Sequence, residues 1–142
     1  NGLGDANSNG VPDWWEVVYF GATNVSGGTG GTDQDQDGFT DHAEWVAGTD
    51  PTNVASILRL TVVTTNGQSV LRFDMVPASG EGYIGESRYY DLQVSTNLMQ
   101  EGGGWTGVVD RIDIPAENRT EVYTNIQTAP VKIYRVRARL EP

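Results

Sequence analysis

Two stretches of twelve residues repeat one pattern of oxygen-bearing side chains. We call residues 5–16 loop one and residues 33–44 loop two, and number the positions of each from 1 to 12. Both match D-x-[DN]-x-[DN]-G-x5-E, with Asp also at position 9. The predicted metal ligands, with the backbone carbonyl at position 7 included, are Asp5, Asn7, Asn9, Val11, Asp13 and Glu16 in loop one, and Asp33, Asp35, Asp37, Phe39, Asp41 and Glu44 in loop two.

This donor set is typical of a calcium site. Calcium is a hard cation that takes six to eight oxygen ligands at about 2.3–2.6 Å. Alternate side chains curl around the ion, glycine at position 6 permits the sharp turn, and glutamate at position 12 can bind through both oxygens. Two complete copies favour a metal site over a pair of solvated acidic turns, so the sequence predicts two calcium ions. Loop two has five carboxylates and loop one has three, so loop two is expected to bind more tightly.

Charge is distributed unevenly along the 142 residues. Of the formal net charge of −10, −9 lies before the first basic residue, Arg59, and −1 lies from there onward. Such an acidic segment indicates a cationic partner and argues against nucleic acid. The absence of cysteine excludes disulfides and thiolate metal sites. No run of eighteen apolar residues is present, so no membrane span is predicted.

The cellular location follows from the predicted ion. Loops whose affinity depends on charge work best where calcium is plentiful, at about millimolar concentration outside cells. We therefore expect a secreted or cell-surface protein. The chain begins at Asn1 rather than Met, which favours a processed portion of a longer precursor.

A short helix is predicted after each glycine turn. The first covers Asp13–Phe20 and ends at Gly21, and the second covers Asp41–Ala47 and ends at Gly48. A link rich in Gly, Ser and Thr, residues 21–32, joins the two loops. These elements form a predicted double calcium-loop segment over residues 1–55.

From Ser56 onward the apolar period changes to two, which predicts an antiparallel β-sandwich over residues 56–142. Asn66-Gly67 is typical of a hairpin turn. The predicted strands contain Leu58, Leu60 and Val62; Leu71, Phe73 and Met75; Tyr90, Leu92 and Val94; Val108 to Ile114; Arg119 to Asn125; and Tyr134 to Leu140. The predicted fold class is therefore mostly β, preceded by two short helices.

Residues 5–16 and 33–52 resemble bacterial calcium modules of the thrombospondin type 3 repeat and dockerin kind. Residues 35–51, DQDGFTDHAEWVAGTDP, are similar to the D-x-D-G-x-x-D-x-x-E-x-x-x-G-T-D-P signature of the bacterial repeats. The whole chain resembles C-terminal regions of large secreted bacterial proteins, where such a pair precedes a small β-sandwich. An EF-hand has a helix entering each loop, whereas Gly-rich stretches precede both loops here. A calcium sensor that opens a hydrophobic groove is therefore not expected.

The sequence contains no set of residues typical of catalysis. The lone His42 lies inside loop two, and no cysteine or G-x-S-x-G nucleophile elbow accompanies it. We expect a non-enzymatic, calcium-stabilised extracellular structural module that self-associates head-to-tail into a surface layer or fibre. The alternatives are a carbohydrate-binding module of a secreted enzyme, whose partner would be a polysaccharide, and a dockerin-like protein-docking module.

Particular side chains distinguish these readings. Arg135, Arg137 and Arg139 alternate in the last predicted strand and would face a neighbour's acidic segment. Pairing with Glu121, Asp113 or Asp110 in the same sheet is the competing interpretation. Trp105 is a candidate sugar platform, whereas Trp45 and either Trp14 or Trp15 are expected to pack the calcium segment onto the sandwich.

Overall fold

The computed structural model describes residues 4–25, 31–126 and 131–142. These residues contain two α-helices and seven strands in antiparallel sheets, which confirms the predicted mostly β fold class. Part of the predicted Gly-rich link, residues 26–30, lies outside the described residues. In the described part of the chain, no helix has the length and apolar character needed to cross a membrane.

Both helices have the predicted bounds, α1 at Asp13–Phe20 and α2 at Asp41–Ala47. Each begins at position 9 of its loop, so positions 9 and 12 lie in the first helical turn. Each ends at a glycine in the left-handed conformation, Gly21 with φ 74° and Gly48 with φ 81°. Glycine adopts this conformation without the strain that a Cβ would cause, which stops the helix at that residue.

The strands form two sheets. The first has the order β1-β2-β6, with β1 at Thr61–Thr65, β2 at Gln68–Met75 and β6 at Arg119–Ile126. In the second, β3 pairs with three strands. Their bounds are Ser87–Ser95 for β3, Thr106–Gly107 for β4, Ile114–Pro115 for β5 and Ile133–Glu141 for β7. The hairpin between β1 and β2 turns at Asn66 and Gly67, which have φ of 50° and 72° as the sequence predicts.

The apolar core lies between these sheets. Two buried clusters each combine residues of β2 with residues of β3. One contains Phe73, Met75, Tyr90 and Ile114, and the other contains Leu71, Leu92 and Val108. The period-two pattern of the sequence therefore identifies the inward faces of β2 and β3 correctly.

Two strand predictions need correction. The first strand begins at Thr61, and Leu58 and Leu60 precede it while packing against the core clusters. The predicted strand over Val108 to Ile114 is wrong, because a turn separates β4 from β5. Asp110 and Asp113 have φ of 60° and 55°, in the left-handed region that an extended strand cannot contain.

The chain divides into two compact units. Unit one comprises Asn1–Ile57, Pro77–Arg88 and Arg139–Pro142, and unit two comprises Leu58–Val76 and Tyr89–Ala138. Unit one thus includes the connection between β2 and β3, besides the segment that carries both loops. That connection contains a one-turn 3₁₀ helix, Glu81–Tyr83.

Candidate metal centre

The two loops have the same hydrogen-bonded turn. The backbone N–H at position 5 donates to Oδ1 of position 1, at 3.0 Å in loop one and 3.1 Å in loop two. It also donates to Oδ1 of position 3, at 3.2 Å in both loops. The N–H at position 6 lies 2.9 Å from Oδ2 of position 1 in both. The N–H at position 7 lies 2.8 and 2.7 Å from Oδ1 of position 5. The N–H at position 2 lies 3.1 and 3.2 Å from Oδ1 of position 9. The sequence repeat is therefore a repeat of structure.

Positive backbone φ angles also recur at matching positions. Position 6 is glycine in both loops, with φ of 86° at Gly10 and 96° at Gly38. Position 4 has positive φ as well, 56° at Ser8 and 63° at Gln36, although neither residue is glycine. A non-glycine residue in this region costs roughly 1–2 kcal/mol, so the hydrogen bonds of the loop must offset that cost.

Loop two gathers three carboxylates around one point. One carboxylate oxygen from each of Asp33, Asp35 and Asp37 lies within 4.8 Å of the others. Oxygens that share one calcium ion lie at most about 5 Å apart, because each sits about 2.3–2.6 Å from the metal. A single ion can therefore contact all three.

Four carboxylate oxygens of loop two are buried and accept no hydrogen bond from any described residue. They are Asp35 Oδ2, Asp37 Oδ2, Asp41 Oδ2 and Glu44 Oε2. Asp41 and Glu44 are each only 1% exposed. Burying an ionised carboxylate without a partner is very costly, so this cluster requires protons or a cation. An all-oxygen donor set of this charge suits a hard divalent cation such as calcium.

The raised pKa values of two carboxyl groups also indicate that loop two needs a positive charge. Burial raises the pKa of Glu44 to about 8, and the charges of Asp35, Asp37 and Asp41 act in the same direction. The Thr49 hydroxyl opposes this rise by donating to Glu44 Oε1 at 3.1 Å. Loss of hydration likewise raises the pKa of Asp35. The site therefore disfavours the ionised forms of Glu44 and Asp35 unless a positive charge enters it.

Loop one closes differently at position 12. Glu16 is fully buried, and its Oε1 accepts hydrogen bonds from Asn9 Nδ2 at 3.2 Å and from the Val25 N–H at 3.0 Å. Its Oε2 accepts from the Asn24 N–H at 3.1 Å. Protein donors thus occupy the carboxylate that would close a metal site. The acidic cluster that the structure shows is the one in loop two.

Hydrogen bonds position the remaining side-chain ligands predicted in loop one, whereas the predicted carbonyl ligands of both loops are not tested. Hydrogen bonds within loop one bring Asp5, Asn7 and Asn9 together and fix Asp13 against the Ala6 N–H. The carbonyl ligands predicted at Val11 and Phe39 stay predictions, and so does the count of two ions.

Sequence analysis missed the residues that hold α2 at its C-terminal end. Arg88 donates from Nε to the Val46 carbonyl at 2.7 Å and from Nη2 to the Trp45 carbonyl at 3.0 Å. Tyr83 donates its hydroxyl to the Trp45 carbonyl at 2.9 Å, and Trp45 Nε1 donates to the Gly82 carbonyl at 3.1 Å. No sequence signal marks Arg88 as a cap, because only the structure groups residues 77–88 with the segment that carries both loops.

The tryptophans and the terminal arginines have distinct environments. Trp15 is buried, whereas Trp14 is 54% exposed and lines an open pocket of about 250 Å³ with Asp13, Val17 and Thr23. The guanidinium of Arg135 covers one face of Trp105, 4.3 Å from the ring centre.

The three arginines of the last strand have different partners. Arg135 binds Gln93, Arg139 binds Glu141 and Arg137 is exposed. Glu121 pairs instead with Arg111 and Arg119.

Comparison with protein-family models, with curated proteins and with solved structures finds no match to this chain. The likeness to thrombospondin type 3 and dockerin modules therefore stays an interpretation of the sequence.

Proposed function

We propose that this chain is a non-enzymatic, calcium-stabilised structural module of a secreted or cell-surface protein. The observation that carries the proposal is the set of four buried carboxylate oxygens without donors in loop two. A structural role fits, because the ligands sit in the loop and first helical turn of a segment that has nine acids and no base before Arg59. Neutralising that charge gives the segment stability that its few apolar residues cannot supply.

The test is calorimetric titration of the protein with calcium and with magnesium. Calcium should bind with a well-defined stoichiometry and more tightly than magnesium, which requires near-ideal octahedral geometry. Glu44→Gln should weaken binding to loop two by about a hundredfold or more, because it removes a bidentate anionic ligand. Glu101→Gln, which loses the same charge at an exposed position, should bind as the unaltered protein does. Absence of calcium binding by the unaltered protein would refute the proposal.

Self-association is the second part of the proposal. Strand β1 lies at the edge of the three-stranded sheet, and all five of its residues are exposed. Its sequence, TVVTT, has no charge or proline to discourage pairing with a strand of another copy. The exposed Arg137 also offers positive charge to the acidic segment of a neighbour. Light scattering at high concentration in saturating calcium tests this part, and a monomer would exclude the fibre role.

Polysaccharide binding is a second candidate function, and the pocket at Trp14 favours it. The exposed indole of Trp14, in a pocket that Val17 also lines, can stack on the face of a sugar ring. The partly covered Trp105 is less suited to the role. Trp14→Ala should abolish retention on an immobilised glycan if this function is correct, whereas Trp105→Ala should not.

A further inference from the structure

Arg88 is a buried cation at the end of α2, and only 3% of it is exposed. Besides its hydrogen bonds to the carbonyls of Trp45 and Val46, its guanidinium carbon lies 4.7 Å from the centre of the Tyr83 ring. The last carbonyls of a helix lack partners within the helix and carry partial negative charge, so a guanidinium there satisfies and stabilises them. Arg88 therefore acts as a charged cap that comes from a distant part of the chain.

Tyr83 and Gly82 complete the attachment through Trp45. The Trp45 and Tyr83 rings are nearly parallel, with an angle of 12° and centroids 6.3 Å apart. Trp45 uses both its indole N–H and its carbonyl to bind residues 82–88. We call this set of contacts between α2 and residues 82–88 the clasp.

Gly48, which ends α2, has no side chain and so leaves space for the clasp. A Cβ at Gly48 would overlap the guanidinium of Arg88. Gly48 therefore has two roles, since it adopts the positive φ that ends the helix and leaves space for the capping cation.

The clasp and the calcium ligands share one short helix. Trp45 follows directly after Glu44, and α2 has only seven residues. Carboxylates crowded in its first turn repel one another when no cation is present, while the clasp holds the second turn in helical geometry. Coupling between two sites on one element is reciprocal, so a clasp that calcium stabilises must in turn favour calcium.

We infer that Arg88 and Tyr83 are positioning residues for the calcium site, which they preorganise by holding α2 so that Asp41 and Glu44 point into loop two. This inference rests on the proposed calcium function. It adds two determinants of affinity, which lie 39 and 44 residues beyond Glu44, the last ligand in sequence.

The test compares calcium titrations of variants that conserve charge. Arg88→Lys keeps the positive charge but cannot reproduce the two-pronged hydrogen bonding, and should weaken calcium binding by about tenfold. Tyr83→Phe removes one hydroxyl and keeps both ring contacts, so it should fold and bind severalfold more weakly. Arg59→Lys makes the same exchange at an exposed arginine and should leave the affinity unchanged.

Hydrogen exchange over residues 81–88 supplies a second measurement. If Arg88 and Tyr83 had a purely structural role, protection of this segment would not depend on calcium. Calcium should increase protection of this segment in the unaltered protein and should not do so in Glu44→Gln. The inference is overturned if Tyr83→Phe binds calcium as tightly as the unaltered protein does and calcium does not change the protection of residues 81–88. A lower melting temperature in chelator with unchanged calcium affinity would also overturn it. Failure of the unaltered protein to bind calcium would instead refute the proposed function itself.

Discussion

Loop one and loop two share their backbone hydrogen bonds and differ in what surrounds the glutamate at position 12. In loop one, three protein donors satisfy Glu16. In loop two, the Thr49 hydroxyl satisfies one oxygen of Glu44, and the other oxygen is buried without a donor. The same twelve-residue pattern therefore supports two kinds of closure, one by hydrogen bonds and one that needs a cation.

The difference begins at position 5. Loop two has Asp37 there, and its Oδ2 is one of the buried oxygens without a donor. Loop one has Asn9, whose Nδ2 donates to Glu16. Exchange of one oxygen for an N–H group turns a repulsive contact between two acids into a hydrogen bond. The contrast between the loops should therefore depend on the ion.

Calcium removal should have the largest effect, and it should fall on loop two. Chelation should cost unit one about 4 kcal/mol where free calcium had been a thousandfold above Kd. Hydrogen exchange should show greater loss of protection over residues 32–47 than over residues 4–25, because only in loop two is one oxygen of the closing glutamate buried without a donor. Unit two should stay protected, since its core does not use the ion. Equal protection of every segment with and without chelator would contradict this prediction.

The two closing glutamates should respond to neutralisation with opposite sign in chelator. At about pH 6, Glu44→Gln should stabilise the calcium-free protein by about 2 kcal/mol, because the folded protein keeps a proton on Glu44 that the unfolded chain loses near 4.5. Glu16→Gln should destabilise it by about 1–3 kcal/mol, because it disrupts buried hydrogen bonds. Urea denaturation in chelator measures both, with Glu101→Gln as the control. Two changes of the same sign would remove the contrast between the loops.

Stability should fall with rising pH in the absence of calcium, and calcium should remove that dependence. In the calcium-free folded protein, Glu44 retains its proton up to about pH 8, whereas in the unfolded chain it loses the proton near the ordinary value of 4.5. The folded state thus binds more protons between these values, and stability falls as pH rises from about 4.5 to 8. With saturating calcium Glu44 is ionised in the folded protein, and above about pH 4.5 it is ionised in the unfolded chain as well, so the fall in stability should disappear. Melting temperatures measured across this pH range, in chelator and in saturating calcium, test this prediction.

Asn9→Asp should give the smallest effect and convert loop one toward loop two. It adds an anionic ligand and removes the donor to Glu16, so calcium affinity at loop one should rise by about threefold to tenfold. The gain should shrink as salt increases, because added ions screen the new charge. Calorimetry at low and high salt, with Asn118→Asp as an exposed control for the charge, is the measurement. Unchanged affinity would show that position 5 does not limit binding at loop one.

Sequence reasoning succeeded where the signal is local. Both helices follow from a glycine stop and a turn of acidic ligands, and the β1–β2 hairpin follows from Asn66-Gly67. It failed at Asp110 and Asp113, because the apolar residues around them suggest a strand while their positive φ angles prevent one. It also could not find the clasp, since nothing near Arg88 indicates that it caps a helix forty residues earlier. Such contacts depend on how the chain folds back, which local patterns do not encode.

The approach of Gly82 to Trp15 has a consequence for how this molecule can be cut and recombined. A Cβ at Gly82 would lie 2.8 Å from the Cβ of Trp15, so that position accepts no other residue without displacement. The segment that carries both loops therefore depends on a piece of chain that follows two intervening strands. Grafting residues 1–57 onto another protein would leave the indole of Trp15 facing solvent and α2 without its cap. A transferable cassette would need residues 77–88 as well, supplied by a new linker or as a separate peptide.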